Sequence, residues 1–180
     1  MASDHAAHEA TDYAKFVGLV GQPRTASPLE NDALRRFVQA IMDDDPAYYD
    51  PAVAAQTLPG EIVAPPLYPL HASRRPLGTP DPLQATADDP NHDGIGAANS
   101  NSDALPPIPS PLKRRLNGGN EIEFFRCLRI GERAVAKPRY KSVDLKQGRS
   151  GEMLIIVTEV RWETENGDLL MINRQTSIRR

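Results

Sequence analysis

The residues of this 180-residue chain best suited to chemistry lie between Lys113 and Glu132, in KRRLNGGNEIEFFRCLRIGE. Lys113, Arg114 and Arg115 open the stretch, and Arg126 and Arg129 close it. Between them Asn117 precedes a Gly118-Gly119 pair, where the lack of a Cβ lets a ligand approach the backbone closely. Guanidinium groups beside such a backbone suit a phosphate-bearing ligand, because their planar fork matches phosphate oxygens. A second group is Asp43-Asp44-Asp45, three carboxylates at the end of a predicted helix. The macrodipole there is negative, so each acid is mildly unfavourable and needs a reason. Four histidines complete the set. His5 and His8 lie in an N-terminal stretch with no further ligand set, while His71 and His92 fall in or beside a proline-rich region. The lone Cys127 reads as a small hydrophobe, since no His-paired nucleophile is visible. No metal site follows from these spacings.

These residues need elements to hold them. Residues 1–11 read as a flexible tail. Ser27 to Met42 carries a helical pattern, with Leu34, Phe37, Val38 and Ile41 on one face. Ser27 suits the N-cap, Pro28 the first helical position, and Glu30 completes a capping box. Pro46 accounts for the stop. From Pro59 to Pro111 lie twelve of the seventeen prolines, and the portion at about 72–111 shows no apolar periodicity, which predicts a long irregular insertion. Beyond it the chain reads as β. Glu121 to Phe125 alternates, as does Ala134 to Leu145, although Pro138 argues for an edge or a bulge. Met153 to Trp162 is apolar and β-branched, which suits a central strand. Asn166-Gly167 predicts a type I′ hairpin turn before Leu169 to Ile178. Trp162, Phe124 and Phe125 are expected in the core. One early helix followed by an antiparallel meander gives an α+β class, a single domain over 12–180.

Composition narrows the function. Residues 1–110 hold 6 Lys/Arg against 15 Asp/Glu, and residues 111–180 hold 15 against 9. The basic half is interleaved with acids rather than drawn into a stripe, so nucleic acid is not the expected partner. No apolar run reaches membrane-spanning length. One cysteine and the absence of a secretory pattern point to the cytoplasm.

Several segments together resemble the MaoC-like (R)-specific enoyl-CoA hydratase and 3-hydroxyacyl dehydratase family, and more narrowly its N-terminal, non-catalytic half, the FAS1-like dehydratase half. They are Asp12-Tyr13-Ala14-Lys15-Phe16-Val17-Gly18, the helix end through Asp45-Pro46, Ile62-Val63-Ala64-Pro65-Pro66, Leu116-Asn117-Gly118-Gly119-Asn120-Glu121, Phe125 to Glu132, and Gly148-Arg149-Ser150-Gly151. The resemblance implies a hot-dog fold, a long central helix wrapped by an antiparallel sheet. It implies an acyl-CoA or acyl-carrier thioester as substrate, with no cofactor. The family's catalytic signature, aligned on Pro46, puts its Asp on Asp43 and its His on Tyr48. Tyrosine is a poor general base at neutral pH. The place of a glycine N–H that holds the thioester carbonyl reads Ala64-Pro65-Pro66, and proline has no N–H. The resemblance therefore implies a degenerate half with no catalytic residue of its own. A catalytic MaoC-like subunit would complete it, as a heterodimer or heterotetramer. A homodimer that recruits His71 or His92, or a non-catalytic acyl-CoA-binding module, is the alternative. The residues expected to bind substrate are Arg114, Arg115, Asn117, Gly118, Gly119, Arg126, Arg129, Ala64 and Pro65.

Overall fold

The computed structural model describes residues 12–72, 78, 104–149 and 151–180. The expected tail, most of the proline-rich insertion and His92 lie outside these residues. Five strands form one antiparallel sheet: β1 (Arg24–Thr25), β2 (Arg115–Phe124), β3 (Ala134–Gly148), β4 (Gly151–Thr164) and β5 (Leu169–Arg179), in the order β1-β3-β4-β5-β2. The apolar β4 is the middle strand, as its composition predicts. One face of the sheet carries Ala134, Ala136, Val160, Trp162 and Met171. They close on Leu34 and Val38 of helix α1 (Asn31–Ala40) in one core cluster. Farther along the strands a second cluster joins Leu154 and Ile156 to Tyr13, Phe16, Leu105 and Ile108. The end of the expected insertion is thus core: Leu105 and Ile108 are buried although no periodicity announces them.

Three local expectations are corrected. The helix begins at Asn31 rather than Ser27. Residues 24–29 run extended along β3 instead, with Ala26 N–H donating to Ala134 O, Leu29 N–H to Glu132 O, and Leu29 O accepting from Gly131. Burying Leu29 against the sheet, at 1% exposure, outweighs a capping box that a polar helix end could have formed. Glu30 occupies the N-cap without a side-chain bond. The Asn166-Gly167 hairpin forms, but not as type I′. Gly167 has φ 91° while Asn166 is not in the left-handed region. Gly167 N–H donates to Thr164 O, and Thr164 N–H to Asp168 O, the pattern of a type I turn followed by a glycine bulge. Phe124 and Phe125 are half-exposed rather than core. They sit where an edge strand ends, with β5 as a neighbour on one side only.

Helix α1 (Asn31–Ala40) closes with Asp43 N–H reaching back to Val38 O and Met42 at φ 56°. Met42 therefore holds the left-handed position usually given to glycine. It is 89% exposed, so no packing compensates the strain. Met42→Gly is expected to stabilise the chain by about 0.5–1 kcal/mol. A higher urea midpoint at unchanged m-value is the readout, and an unchanged or lower midpoint counts against it.

Candidate functional site

The Asp43-Asp44-Asp45 run has a local explanation first. Asp43 accepts from Asp45 N–H at 3.2 Å, and Asp45 accepts from Ala47 N–H at 2.9 Å, capping the short 3₁₀ turn Pro46–Tyr48. Short carboxylate side chains hold such turns by satisfying backbone donors. The same turn carries Tyr48 back toward α1. Asp43 and Tyr48, the two positions at which the resemblance places a catalytic pair, line one cavity of about 700 Å³. Its floor is Leu34, Val38 and Ile62; Arg35 and Gln39 stand on its rim, bonded to each other at 2.8 Å. Burial, then the charges of Asp43, Cys127 and Asp45, push the Tyr48 phenol above its ordinary value. Tyr48 stays protonated at neutral pH, a donor and not a base.

His71 does not join this pair. It lies on the short helix Tyr68–Ala72, and its ring packs 5.0 Å from that of Phe37 and 5.9 Å from that of Tyr68. Phe37 projects from a different flank of α1 than Asn31, Arg35 and Gln39, which line the cavity. Among the described residues, the cavity lining holds no histidine.

Ala64 and Pro65 are buried beside this region. Ala64 N–H donates to Leu128 O at 2.8 Å, and Val63 bridges Arg129. With that N–H engaged and two prolines following, residues 64–66 offer no free backbone donor. Beyond them opens a second, smaller groove of about 330 Å³ between Leu58, Val63 and Pro66 on one side and Phe124, Phe125 and Cys127 on the other. It is mostly apolar, with Arg126 and Arg129 also in its lining, and burial raises the Cys127 thiol above its usual range.

The cations expected to form one seat are split in two. Arg114 and Arg115 stand at the start of β2, whereas Arg126 and Arg129 follow its end. A strand of ten residues separates the two groups by about 30 Å. Arg126 is committed within the fold: its guanidinium donates to Glu132 at 2.8 and 2.7 Å, to Asp168 at 2.9 Å and to Cys127 O at 3.0 Å. Arg129 is half-exposed and pairs with Glu61 at 2.9 Å. Gly118 and Gly119 belong to β2 itself and form a bulge opposite Thr176 of β5. A Cβ on Gly118 would come within 2.7 Å of the Thr176 methyl, and Gly119 has φ 106°. Asn117 Oδ1 accepts from Gly119 N–H at 2.9 Å and fixes the bulge. These three residues shape an edge strand that has a neighbour on one side only. The sequence offered no sign that this edge would be free, because strand order is decided by long-range pairing.

Among the described residues there is no grouping of three or more metal-ligating side chains, and no helix long and apolar enough to cross a membrane. The sheet order, with helix α1 packed on one of its faces, defines a hot-dog protein. Residues 15–173 match the model of the FAS1-like dehydratase domain region, and the chain belongs to that family. A curated relative, the UPF0336 protein of Thermobifida fusca (strain YX), is 28% identical over 127 residues, covering 71% of this chain and 68% of that one. Among solved structures the chain is similar to the ChsH1–ChsH2 complex of Mycobacterium tuberculosis, with 22% identity, 89% of this chain and 83% of that one covered, and a TM-score of 0.63. It is similar to the C-terminally truncated HadBC (3R-hydroxyacyl-ACP dehydratase) complex of the same organism, with 18% identity, coverage of 93% and 98%, and a TM-score of 0.58. The (R)-hydratase of A. caviae gives 15%, 88%, 95% and 0.55 in the same order. At these identities the structural likeness establishes the fold alone.

Proposed function

We propose that this chain is the substrate-binding and structural subunit of a heteromeric enoyl-thioester hydratase, working as a 3-hydroxyacyl-thioester dehydratase in reverse. A partner of the same fold supplies the catalytic Asp and His. The observation that carries this reading is the cavity beside α1 (Asn31–Ala40), which brings Asp43 and Tyr48 together with no histidine in its lining among the described residues. Hydration of a 2-enoyl thioester needs a group that activates water and a group that delivers or removes a proton at the α-carbon. Asp43 could accept a proton; Tyr48 cannot take one up at neutral pH. An enolate-like transition state also needs donors at the thioester oxygen, and residues 64–66 supply none.

Two further observations support a partner. β2 (Arg115–Phe124) is an edge strand with exposed residues along most of its length, and such an edge invites pairing with another chain. The apolar groove beside Phe124 and Phe125 continues that edge. Two of the structural relatives are complexes, ChsH1–ChsH2 and HadBC. In this reading the 700 Å³ cavity receives part of the acyl chain, and no cofactor takes part.

The test is hydration of crotonyl-CoA and of a longer enoyl-CoA by the purified chain, alone and with a MaoC-like protein encoded beside it. Activity is expected only in the mixture, together with a stable complex on size exclusion. Asp43→Asn is expected to leave turnover of that complex within about threefold, whereas removing a true general base costs about 10²–10⁴-fold. Hydration by the isolated chain, abolished by Asp43→Asn, would overturn the reading in favour of a self-sufficient homodimer.

A further inference from the structure

We propose that a strip of uncharged polar side chains on the α1 side of the sheet selects a chain carrying hydroxyl or keto oxygens over a plain hydrocarbon chain of the same length. The strip is Asn117 and Asn120 of β2, Thr158 of β4, and Asn173, Gln175 and Ser177 of β5. That the ligand is an acyl chain rests on the function proposed above. That it is neutral and oxygenated rests on the strip itself.

Strand register puts the six residues on one face. Gln175 stands opposite Asn120 on one side and Thr158 on the other, Asn173 opposite Ile122 and Val160, and Ser177 opposite Asn117 and Ile156. Directly opposed residues share a face, and Val160 fixes which one, since it packs with Leu34 and Val38 of α1. Same-face residues repeat about every 7 Å along a strand and strands lie about 4.8 Å apart, so the strip measures about 10 Å by 14 Å. It interrupts the core: along β4, Thr158 falls between Ile156 of one apolar cluster and Val160 of the other. Exposure rises outward, from buried Asn173 through half-buried Thr158, Gln175 and Ser177 to exposed Asn117 and Asn120.

Polar groups on the core side of a sheet need partners, and the fold supplies almost none here. Asn117 Oδ1 accepts from Gly119 N–H at 2.9 Å. Among the described residues, the side chains of Asn120, Thr158, Asn173, Gln175 and Ser177 have no hydrogen-bond partner. Asn173 decides the matter. It is 6% exposed, and its Oδ1 is buried with nothing to accept from. The opposite face of the sheet is built differently, with buried Glu159 and Glu163 each held by cations.

The side chains name the ligand class. None of the six is ionised at neutral pH, so the segment they fit is neutral. Amides and hydroxyls both donate and accept, which suits hydroxyl and keto oxygens. A hydrocarbon laid on them would strip their water and return no bond. The strip also adjoins the cavity beside α1: Ile122, opposite Asn173, packs on the same cluster as Tyr48 and Ile62 of the cavity lining. A protein partner typically covers about 800 Å² per side, several times the area of the strip, so a single chain fits the footprint better.

The test compares decanoyl-CoA with its 5-, 7- and 9-hydroxy derivatives, by calorimetry on the full chain and, as the matching 2-enoyl thioesters, by hydration in the mixture with the MaoC-like protein. At least one hydroxy derivative should be favoured about tenfold or more over the plain chain. Asn173→Leu and Gln175→Leu should each bring that ratio toward one, with the plain chain gaining. Asn173→Leu should also raise the urea midpoint, because it removes an unmet buried group.

Equal affinity across the series, or none, in both assays overturns the strip. So does a preference that survives both variants. Loss of the complex on size exclusion in those variants, with the preference unchanged, also overturns it and gives the strip to the partner protein. Preferential binding with no hydration in any mixture supports the strip while removing the hydratase reading. Hydration that treats plain and hydroxylated chains alike removes the strip and leaves that reading standing.

Discussion

Trp162→Ala is expected to destabilise the chain by about 3–5 kcal/mol, the largest single loss among its core residues. Trp162 is fully buried in the middle strand, between Ala136 of β3 and Met171 of β5, and belongs to the cluster that seats Leu34 and Val38 of α1. Small Ala136 on one side gives the indole its room, so truncation leaves a hole that neighbouring strands cannot close. A loss of this size is a large part of a typical domain's stability. The cavity beside α1 should degrade with it, since its floor is the same helix face. Trp162→Phe is a sharper case. The indole Nε1 is buried with no partner, a state that itself costs about 1–3 kcal/mol. Phenylalanine removes that unmet donor together with part of the ring, so it should cost well under half of the alanine loss. Trp162 is the only tryptophan, so unfolding must be followed by circular dichroism. Equal losses for both substitutions would contradict the role given to packing.

Glu159→Gln is expected to cost about 2–3 kcal/mol. The carboxylate lies on the sheet face opposite α1, with its side chain only 8% exposed. Arg139 Nε donates to it at 2.7 Å, Arg174 Nε at 2.8 Å, and Lys141 stands 3.8 Å away. Neutralising it leaves three cations together, and breaking a buried ion pair costs about 3–5 kcal/mol. The figure is reduced because Arg139 and Lys141 are half-exposed and screened. Glu121→Gln, at a 72% exposed carboxylate bonded to the same Arg174, should cost under about 1 kcal/mol.

The pH dependence has a definite sign. Burial alone would raise Glu159, but the Arg174 and Arg139 bonds outweigh it and hold the group below its ordinary 4.5. The Lys137 and Arg161 bonds lower Glu163, and the Arg126 bond lowers Glu132. A carboxylate lowered in the folded state contributes stability above its unfolded value and loses it as pH falls through the folded one. Unfolding free energy should therefore fall steeply below about pH 4.5, with a shallower slope in Glu159→Gln. An identical acid slope in the variant would show that this network is not what acid breaks.

Both sheet networks bear on function through rigidity. Arg126, Glu132 and Asp168 tie the segment after β2 to the β4–β5 turn, which sets the wall of the apolar groove. The Glu159 network ties β2 to β3 through Arg174, which also reaches Glu121 and Glu123. It thereby steadies the edge strand that the proposed partner would meet.

The sequence by itself determined what local chemistry can encode. Alternation placed the strands, the apolar run marked β4 as central, Asn166-Gly167 placed a hairpin, and the order of short motifs pointed to the hot-dog dehydratases. Tyr48 and the prolines at 65 and 66, on which the expectation of a chain without its own catalytic base rests, were legible in the same way, since each is a property of one residue type. Tertiary structure decided everything that depends on which distant segments meet. Leu29 left the helix because the sheet buried it, and Leu105 and Ile108 became core because an N-terminal aromatic pair and the far ends of β3 and β4 gave them a surface. The arginines read as one seat were parted by the length of β2, with Arg126 drawn into an internal ion pair. Asn120, Thr158 and Gln175 were brought to one row by the register of β2, β4 and β5. Periodicity and capping act over a few residues, whereas strand register is set by contacts across the whole chain, which no short window of sequence contains.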